Sequence, residues 1–302
     1  MSNSQLDGDR PDAPNSAKIV SVDTILATEL NKLTFLERES INEEIHGIDV
    51  DRKYNEESGS IEETPEILTE SFLDLQIELE NLRSKNSGVG GSAFAYNRSQ
   101  EMFGSMPEKG TYLNTNEIRI MFLRCERFDC KKAAIRICRF ADMMYELYED
   151  DGLERLARLS DLDDNEMVIM KKGLSQILVG RDRAGRRIYT HFASDSWKFL
   201  PVKTRLRITT YLSMSLLMSD VVSQRRGVVF VMWMHNVKKM DLNDFIARGT
   251  VQRRGSTCVP MRIGAAHYCF PSREMSTSAA FVHIISRLPG QIKPHLRIHT
   301  GK

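Results

Sequence analysis

The stretch VVFVMWM, at positions 228–234, is the most apolar run of this sequence and decides the fold that we predict. Seven apolar residues that include β-branched and aromatic side chains favour a strand with both faces buried. The run is far shorter than the roughly 20 residues that a membrane-spanning helix needs. We therefore expect it to be an inner strand of a sheet.

Strand and helix patterns alternate on both sides of this stretch. A turn at 182–185 separates the first two strands, and a longer helical pattern precedes 228–234. This alternation predicts an α/β layer with a largely parallel sheet. The expected elements are strands at about 174–179, 187–192, 262–269 and 294–299, and helices at about 202–222, 241–248 and 275–287.

The first half of the chain predicts helices without strands. Thr34 and Glu37 have the spacing of a capping box, residues 64–82 repeat apolar side chains at helical spacing, and residues 114–149 predict a helical pair. We divide the chain into a disordered tail at 1–20, an acidic helical arm with a Gly/Ser-rich linker at 21–98, further helices at 99–173, and the α/β part at 174–302.

Charge is distributed unevenly, although the net charge of the 302 residues is only +1. Residues 37–85 hold 15 acidic and 5 basic side chains, whereas residues 200–302 hold 16 Lys and Arg against 4 acidic residues. A basic half beside an acidic arm suggests an anionic partner, such as nucleic acid or an anionic membrane surface. A solvated face of mixed charge explains the same counts.

Cysteine usage and the N-terminal sequence bear on the compartment. The chain begins without a basic and apolar leader, and its five cysteines form no paired framework. We expect reduced thiols and a cytoplasmic protein that could associate peripherally with membranes.

Nucleotide, hydrolase and metal motifs are missing from the sequence. His295 and His299 resemble the end of a zinc finger, but the required second cysteine would stand at about position 282, which is Val282. We therefore reject the finger and expect neither a nucleic-acid partner nor a cofactor. The lone histidines His191, His235 and His267, near predicted strand ends, are interpreted as structural rather than catalytic.

Four short stretches match the motifs of one protein family in the right order. They are FLRCERFDCKKA at 122–133, GRDRAGRRIY at 180–189, VPMRI with HYCFP at 259–271, and LRIHTG at 296–301. They resemble the FLRARKFD, D..GRPV, YPERL…IINAP and KI.ILG motifs of the CRAL-TRIO family. This family includes phosphatidylinositol transfer proteins and retinaldehyde- and tocopherol-binding proteins. The resemblance covers about residues 114–302, so that 99–173 would be the family's N-terminal helices and 174–302 its lipid-binding domain.

The resemblance implies a non-enzymatic protein that holds one lipid in a pocket between a sheet and a helical lid and releases it at membranes. Flexible methionines, of which the chain has 15, suit such a wall, although the same side chains would equally fill a solid core. The expected pocket residues are Tyr211, Met214, Leu217, Met218, Phe230, Met232, Met234, Tyr268, Phe270, Phe281, Ile284, Ile285 and Leu288.

Departures from the family pattern limit the ligand that can be predicted. Met261 replaces the glutamate that helps hold an inositol headgroup, whereas Arg297 keeps a cation at the corresponding lysine. We therefore expect Arg262 and Arg297 to favour an anionic lipid without inositol specificity. The family's D..G after the central strand is replaced at 235–238, and the chain ends soon after the last strand, which suggests a truncated domain.

Two other functions stay open at this point. The protein could be an interaction scaffold with a degenerate pocket, whose acidic arm binds a protein partner or folds back on the basic part. A hydrolase or phosphatase ranks last, because no nucleophile motif is present.

Overall fold

A five-stranded sheet forms the centre of the fold, with its strands in the order in which they occur along the chain. The first strand is antiparallel to the second, and all other neighbours are parallel. This confirms a mixed α/β fold with a largely parallel sheet. The strands are β1 (Ser175–Arg181), β2 (Arg187–Phe192), β3 (Val228–Trp233), β4 (Ile263–Phe270) and β5 (Leu296–Thr300). The computed structural model describes residues 21–48, 63–85, 93–103, 110–234, 242–272 and 278–301.

The two faces of the sheet have different covers. The front face carries Phe230, Met232 and Tyr268, and the back face carries Val229 and Ala265. Right-handed crossovers between successive parallel strands place their helices on one face, which is here the front. The helices that follow β2 along the chain are α9 (Asp195–Lys198), α10 (Val202–Ser219), α11 (Val221–Arg226), α12 (Leu242–Cys258) and α13 (Ala279–Arg287).

A helical layer precedes the sheet in the chain and has its own core. Its central helix, α6 (Cys130–Tyr148), begins where the Asp129 carboxylate accepts a hydrogen bond from the Lys132 amide. Phe122 and Phe140 pack edge to face in this core, with ring centroids 5.5 Å apart. The remaining helices are α3 (Pro65–Lys85), α4 (Phe94–Phe103), α5 (Asn116–Cys125), α7 (Asp151–Glu154) and α8 (Asp164–Lys171).

Two N-terminal helices, α1 (Val22–Asn31) and α2 (Phe35–His46), pack on opposite sides of the sheet. Ile41 and Ile45 of α2 cover Val229 and Ala265 on the back face. Val22 of α1 is buried in the front-face cluster that contains side chains of α13. The predicted capping box is present, since the Thr34 hydroxyl accepts from the Glu37 amide and the Glu37 carboxylate from the Thr34 amide.

Ion pairs join the acidic N-terminal residues to the basic C-terminal third. Glu29 pairs with Lys293 at 3.4 Å, Glu63 with Arg225 at 2.7 Å, and Glu44 with Arg262. Four further cations of this third, Arg205, Arg207, Arg248 and Arg254, also pair within the fold. Much of the basic charge counted in the sequence is therefore neutralised internally.

Several element boundaries differ from the prediction. The helix expected at 202–222 ends at Ser219, because the Asp220 carboxylate accepts from the Ser223 amide and starts a second helix. The helix expected at 241–248 continues to Cys258. The last strand begins only at Leu296, since residues 293–295 form a 3₁₀ turn. The predicted tail at 1–20, the linker glycines and residues 235–238 lie outside the described residues.

Two further expectations concern the cysteines and the membrane. All five cysteines are free thiols, as predicted. Among the helices that the structure describes, none is both long and apolar enough to cross a bilayer.

Candidate ligand cavity

A cavity of about 100 Å³ lies on the front face, between the sheet and helices α10 and α12. Its floor includes Tyr189 of β2, Phe230 and Met232 of β3, and Ala266 and Tyr268 of β4. Its walls are built by Trp197, Thr209, Thr210, Ser213, Arg248, Val251, Gln252, Gly255, Ser256, Val259, Met261, Leu288 and Ile292. The cavity therefore has an apolar floor and a partly polar roof.

Of the pocket residues expected from the sequence, Phe230, Met232, Tyr268 and Leu288 line this cavity. The next group does not line it but packs beside it, in a cluster joining the front face to α13. This group comprises Met234, Phe270, Phe281, Ile284 and Ile285. Phe270 and Phe281 stack edge to face at 4.7 Å between ring centroids, which makes this cluster solid core.

The residues expected on the long helix α10 lie elsewhere. Met214 and Leu217 are buried in the core of the helical layer, Tyr211 is half-buried outside the cavity wall, and Met218 is 51% exposed. The cavity side of α10 carries Thr209, Thr210 and Ser213 instead. Because α10 is buried on two sides, its most apolar stripe faces the larger helical core.

Neither of the two arginines expected to hold an anionic headgroup lines the cavity. In β5, Arg297 is in register with His267, whose neighbours Ala266 and Tyr268 line the cavity from the other face. Arg297 therefore lies on the back face, where its Nη1 donates to the carbonyls of Pro294 and Leu296. Arg262, directly before β4, pairs with Glu44 of α2.

A buried polar network, which the sequence did not predict, reaches one end of the cavity. The Asp244 carboxylate accepts from Arg205 Nη1 at 2.8 Å and from Arg248 Nε at 2.7 Å. Arg248 Nη1 faces His191 Nε2 at 3.2 Å, and His191 Nδ1 lies 2.8 Å from the Ser175 hydroxyl. Burial, together with the charges of Arg248 and Arg205, lowers the pKa of His191 well below its usual value.

A larger groove of about 710 Å³ adjoins the cavity and opens between α1, α2 and residues 290–295. The two spaces share Ser256, Met261, Ile263 and Ile292 as common walls. Leu33, Leu36 and Ile41 supply apolar lining from the N-terminal segment, while the charged groups are Glu29, Lys32, Glu37, Arg127, Arg136 and Arg262, with His295 beside them. The side chains of Met261 and Ile292 thus separate an inner cavity from an outer groove.

Glu44 is the buried acid at the inner edge of this groove. Besides Arg262, it pairs with His295 Nε2 at 3.1 Å and Arg127 Nη2 at 3.4 Å. Burial alone would raise the pKa of Glu44, but Arg262, His295 and Arg127 outweigh it and lower this pKa to about 2. His295, which we expected on a strand, is therefore a side chain of this ion-pair cluster.

Of the other two histidines interpreted as structural, one lies on the back face of the sheet and one lies outside the described residues. His267 Nδ1 lies 2.9 Å from His299 Nε2 on neighbouring strands of the back face, away from the cavity. Nowhere in the described ranges do three or more His, Cys, Asp or Glu side chains gather as metal ligands would. His235 lies outside the described residues.

Comparison of the chain with protein-family models and with curated proteins finds no match.

Proposed function

We propose that this chain is a non-enzymatic, CRAL-TRIO-like protein that binds one small hydrophobic lipid and carries or presents it at membrane surfaces. The observation that supports this best is the cavity on the front face, which adjoins a groove open to solvent through shared residues. An apolar space with a few polar groups is the usual form of a small-ligand site. In this proposal α13 is the mobile lid, because Leu288 at its end lines the cavity.

The cavity as it stands is small. Its volume of about 100 Å³ is below the roughly 150 Å³ of an apolar cavity that admits benzene, so a long acyl chain requires movement of the lid or passage into the groove. The hydrophobic gain is sufficient for this, since each buried CH₂ contributes about 0.8 kcal/mol. The small volume also supports the second candidate function, a scaffold whose pocket no longer takes lipid.

Native mass spectrometry after incubation with phospholipid and fatty-acid liposomes tests the proposal. We expect one bound lipid per chain, and transfer of that lipid to acceptor liposomes. A chain that stays free of lipid under all these conditions would favour the scaffold.

A cavity-filling variant localises the binding. A side chain at Gly255 of α12 enters open space on the cavity wall, because a Cβ there meets no atom within 4 Å. Gly255→Leu is expected to abolish lipid uptake without unfolding the chain. Gly180→Leu on β1, where a Cβ is equally free, is the matched control and should bind lipid normally.

A further inference from the structure

Arg248 is the charged residue of the cavity wall. It is 5% exposed, and no carboxylate lines the cavity with it among the described residues. Its Nε donates to Asp244 and its Nη1 to His191, and its Nη2 makes no hydrogen bond within the described part of the chain. A guanidinium has five N–H donors, so Arg248 retains donors for a ligand.

The neighbour of Arg248 is held in one tautomer. Arg248 Nη1 can only donate, so His191 Nε2 must accept and its Nδ1 must carry the proton that is donated to Ser175. Because the lowered pKa keeps this imidazole neutral, it adds no second positive charge and fixes the orientation of the guanidinium.

Two further polar atoms of the cavity lining are buried and make no hydrogen bond of normal geometry in the described structure, although the Ser175 side chain interacts with the Tyr189 hydroxyl. These atoms are the Tyr189 hydroxyl and Gln252 Oε1. Tyr189 is only 3% exposed, and Gln252 follows Arg248 by one turn of α12. Buried polar atoms without partners are costly; the Tyr189 hydroxyl can donate to a ligand oxygen, whereas Gln252 Oε1 can only accept and would need a donor.

The polar part of the site lies at one end of the cavity, and the apolar part lies at the other end, toward the groove. Along α12, Arg248 and Ser256 are separated by about 12 Å at 1.5 Å per residue, and Ser256 borders the outer groove. Arg248 and His191 lie toward the carboxyl ends of the parallel strands, where ligands of α/β sheets commonly bind. A chain that starts at Arg248 would therefore leave past Met261 and Ile292.

We propose that the inner cavity binds the carboxylate of a single-chain, fatty-acid-like amphiphile. Arg248 receives the carboxylate, the Tyr189 hydroxyl donates to it, and the acyl chain extends into the groove under α1 and α2. This inference rests on the proposed lipid binding and specifies its ligand and its orientation.

The test compares three ligands of equal chain length: palmitic acid, hexadecanol and methyl palmitate. Affinities for the full-length chain are measured by native mass spectrometry titration at pH 7.5. We expect palmitate to bind at least about tenfold more tightly than the methyl ester, as for a hydrogen bond to a charged group. Arg248→Met should remove this preference and leave the affinity for the ester within threefold. Arg127→Met, on the groove, is the control and should keep the preference.

Each alternative outcome overturns a different statement. Equal affinities for palmitate and methyl palmitate in the wild-type chain would overturn the proposal that the cavity binds a carboxylate. If Arg127→Met loses the preference for palmitate over methyl palmitate and Arg248→Met keeps it, the carboxylate binds in the groove and not in the inner cavity. Tyr189→Phe conserves the ring and covers the case in which Arg248→Met fails to fold; an unchanged preference there would overturn the inner polar site. If no ligand binds at all, the proposed function itself fails.

Discussion

Replacing Glu44 by glutamine should detach helix α2 from the sheet, because this carboxylate joins two arginines and His295 from distant parts of the chain. The Glu44 side chain is 9% exposed, and that of its main partner, Arg262, is 11% exposed. Arg127 and His295 complete the cluster. Glutamine keeps the size of the side chain but removes the negative charge that faces Arg262.

The magnitude follows from the pKa of Glu44. Its lowering from 4.5 to about 2 corresponds to about 3 kcal/mol of folding free energy at 1.36 kcal/mol per pKa unit. Removing one partner of a buried ion pair costs a similar 3–5 kcal/mol or so in other proteins. Because the folded pKa lies below the unfolded one, this stabilisation is complete above pH 4.5 and is lost as the pH falls toward 2. At pH 3.5 about 2 kcal/mol should remain.

Urea denaturation followed by circular dichroism gives the free energy of unfolding of both chains at pH 7 and pH 3.5. Hydrogen exchange of residues 41–46 reports local detachment, which should be about 100-fold faster in the variant at pH 7. Glu70→Gln, at an exposed position of α3, is the matched control and should change neither measurement. A loss below 0.5 kcal/mol, with unchanged exchange in α2, would refute the role of this cluster.

Three other changes test separate contacts of the fold. Val22→Ala should cost about 1.5 kcal/mol and speed hydrogen exchange in α13, which this side chain covers; unchanged exchange would contradict that packing. Gly152→Ala should lower the unfolding free energy by about 1–3 kcal/mol, because its Cβ would lie 2.4 Å from the Met144 carbonyl oxygen. Gly255→Ala, whose Cβ meets no atom of the described residues within 4 Å, should be neutral or stabilising, and urea denaturation measures both variants. His191 should stay neutral at pH 5.5 by ¹⁵N NMR. The imidazole of His191 binds a proton in the unfolded chain but not in the folded one, so the free energy of unfolding should fall by about 1.4 kcal/mol between pH 7.5 and 5.5. His191→Gln should abolish this contribution to the pH dependence. Titration of the folded imidazole near pH 6.5 would disprove the prediction.

The inner strands β3 and β4 were predictable because each is a short, largely apolar run. The helix boundaries were less so. Helix α12 runs ten residues past its expected end, through Gly249 and Gly255, which have poor helix propensity. Tertiary packing outweighs this local preference, since Val251, Gln252 and Ser256 close the cavity. His295 was misplaced for a similar reason, because Glu44, 251 residues away, holds it in a turn.

The residues of the cavity were only partly predictable. Helical periodicity shows which side of a helix is buried, but not whether that side faces a solid core or a ligand cavity. On α10, the apolar stripe with Met214 and Leu217 packs into the helical layer, and the cavity receives Thr209, Thr210 and Ser213. A helix between a core and a ligand space can carry polar residues on its ligand side. The sequence contains this signal, but it is indistinguishable there from a solvent-exposed face.

The charge asymmetry of the sequence acquires a specific meaning in the fold. Acidic and basic blocks of one chain can attract separate partners or each other, and here Glu29, Glu44 and Glu63 pair with the basic third. The same helices that neutralise this charge also cover the groove and, through Val22, contact α13. We therefore expect access to the cavity and pairing of charge to be coupled, with loosening of α2 at Glu44 widening the groove and exposing Arg262 together. If lipid enters by this route, Glu44→Gln should take up palmitate faster than the wild-type chain and keep the preference for palmitate over methyl palmitate that we propose for Arg248.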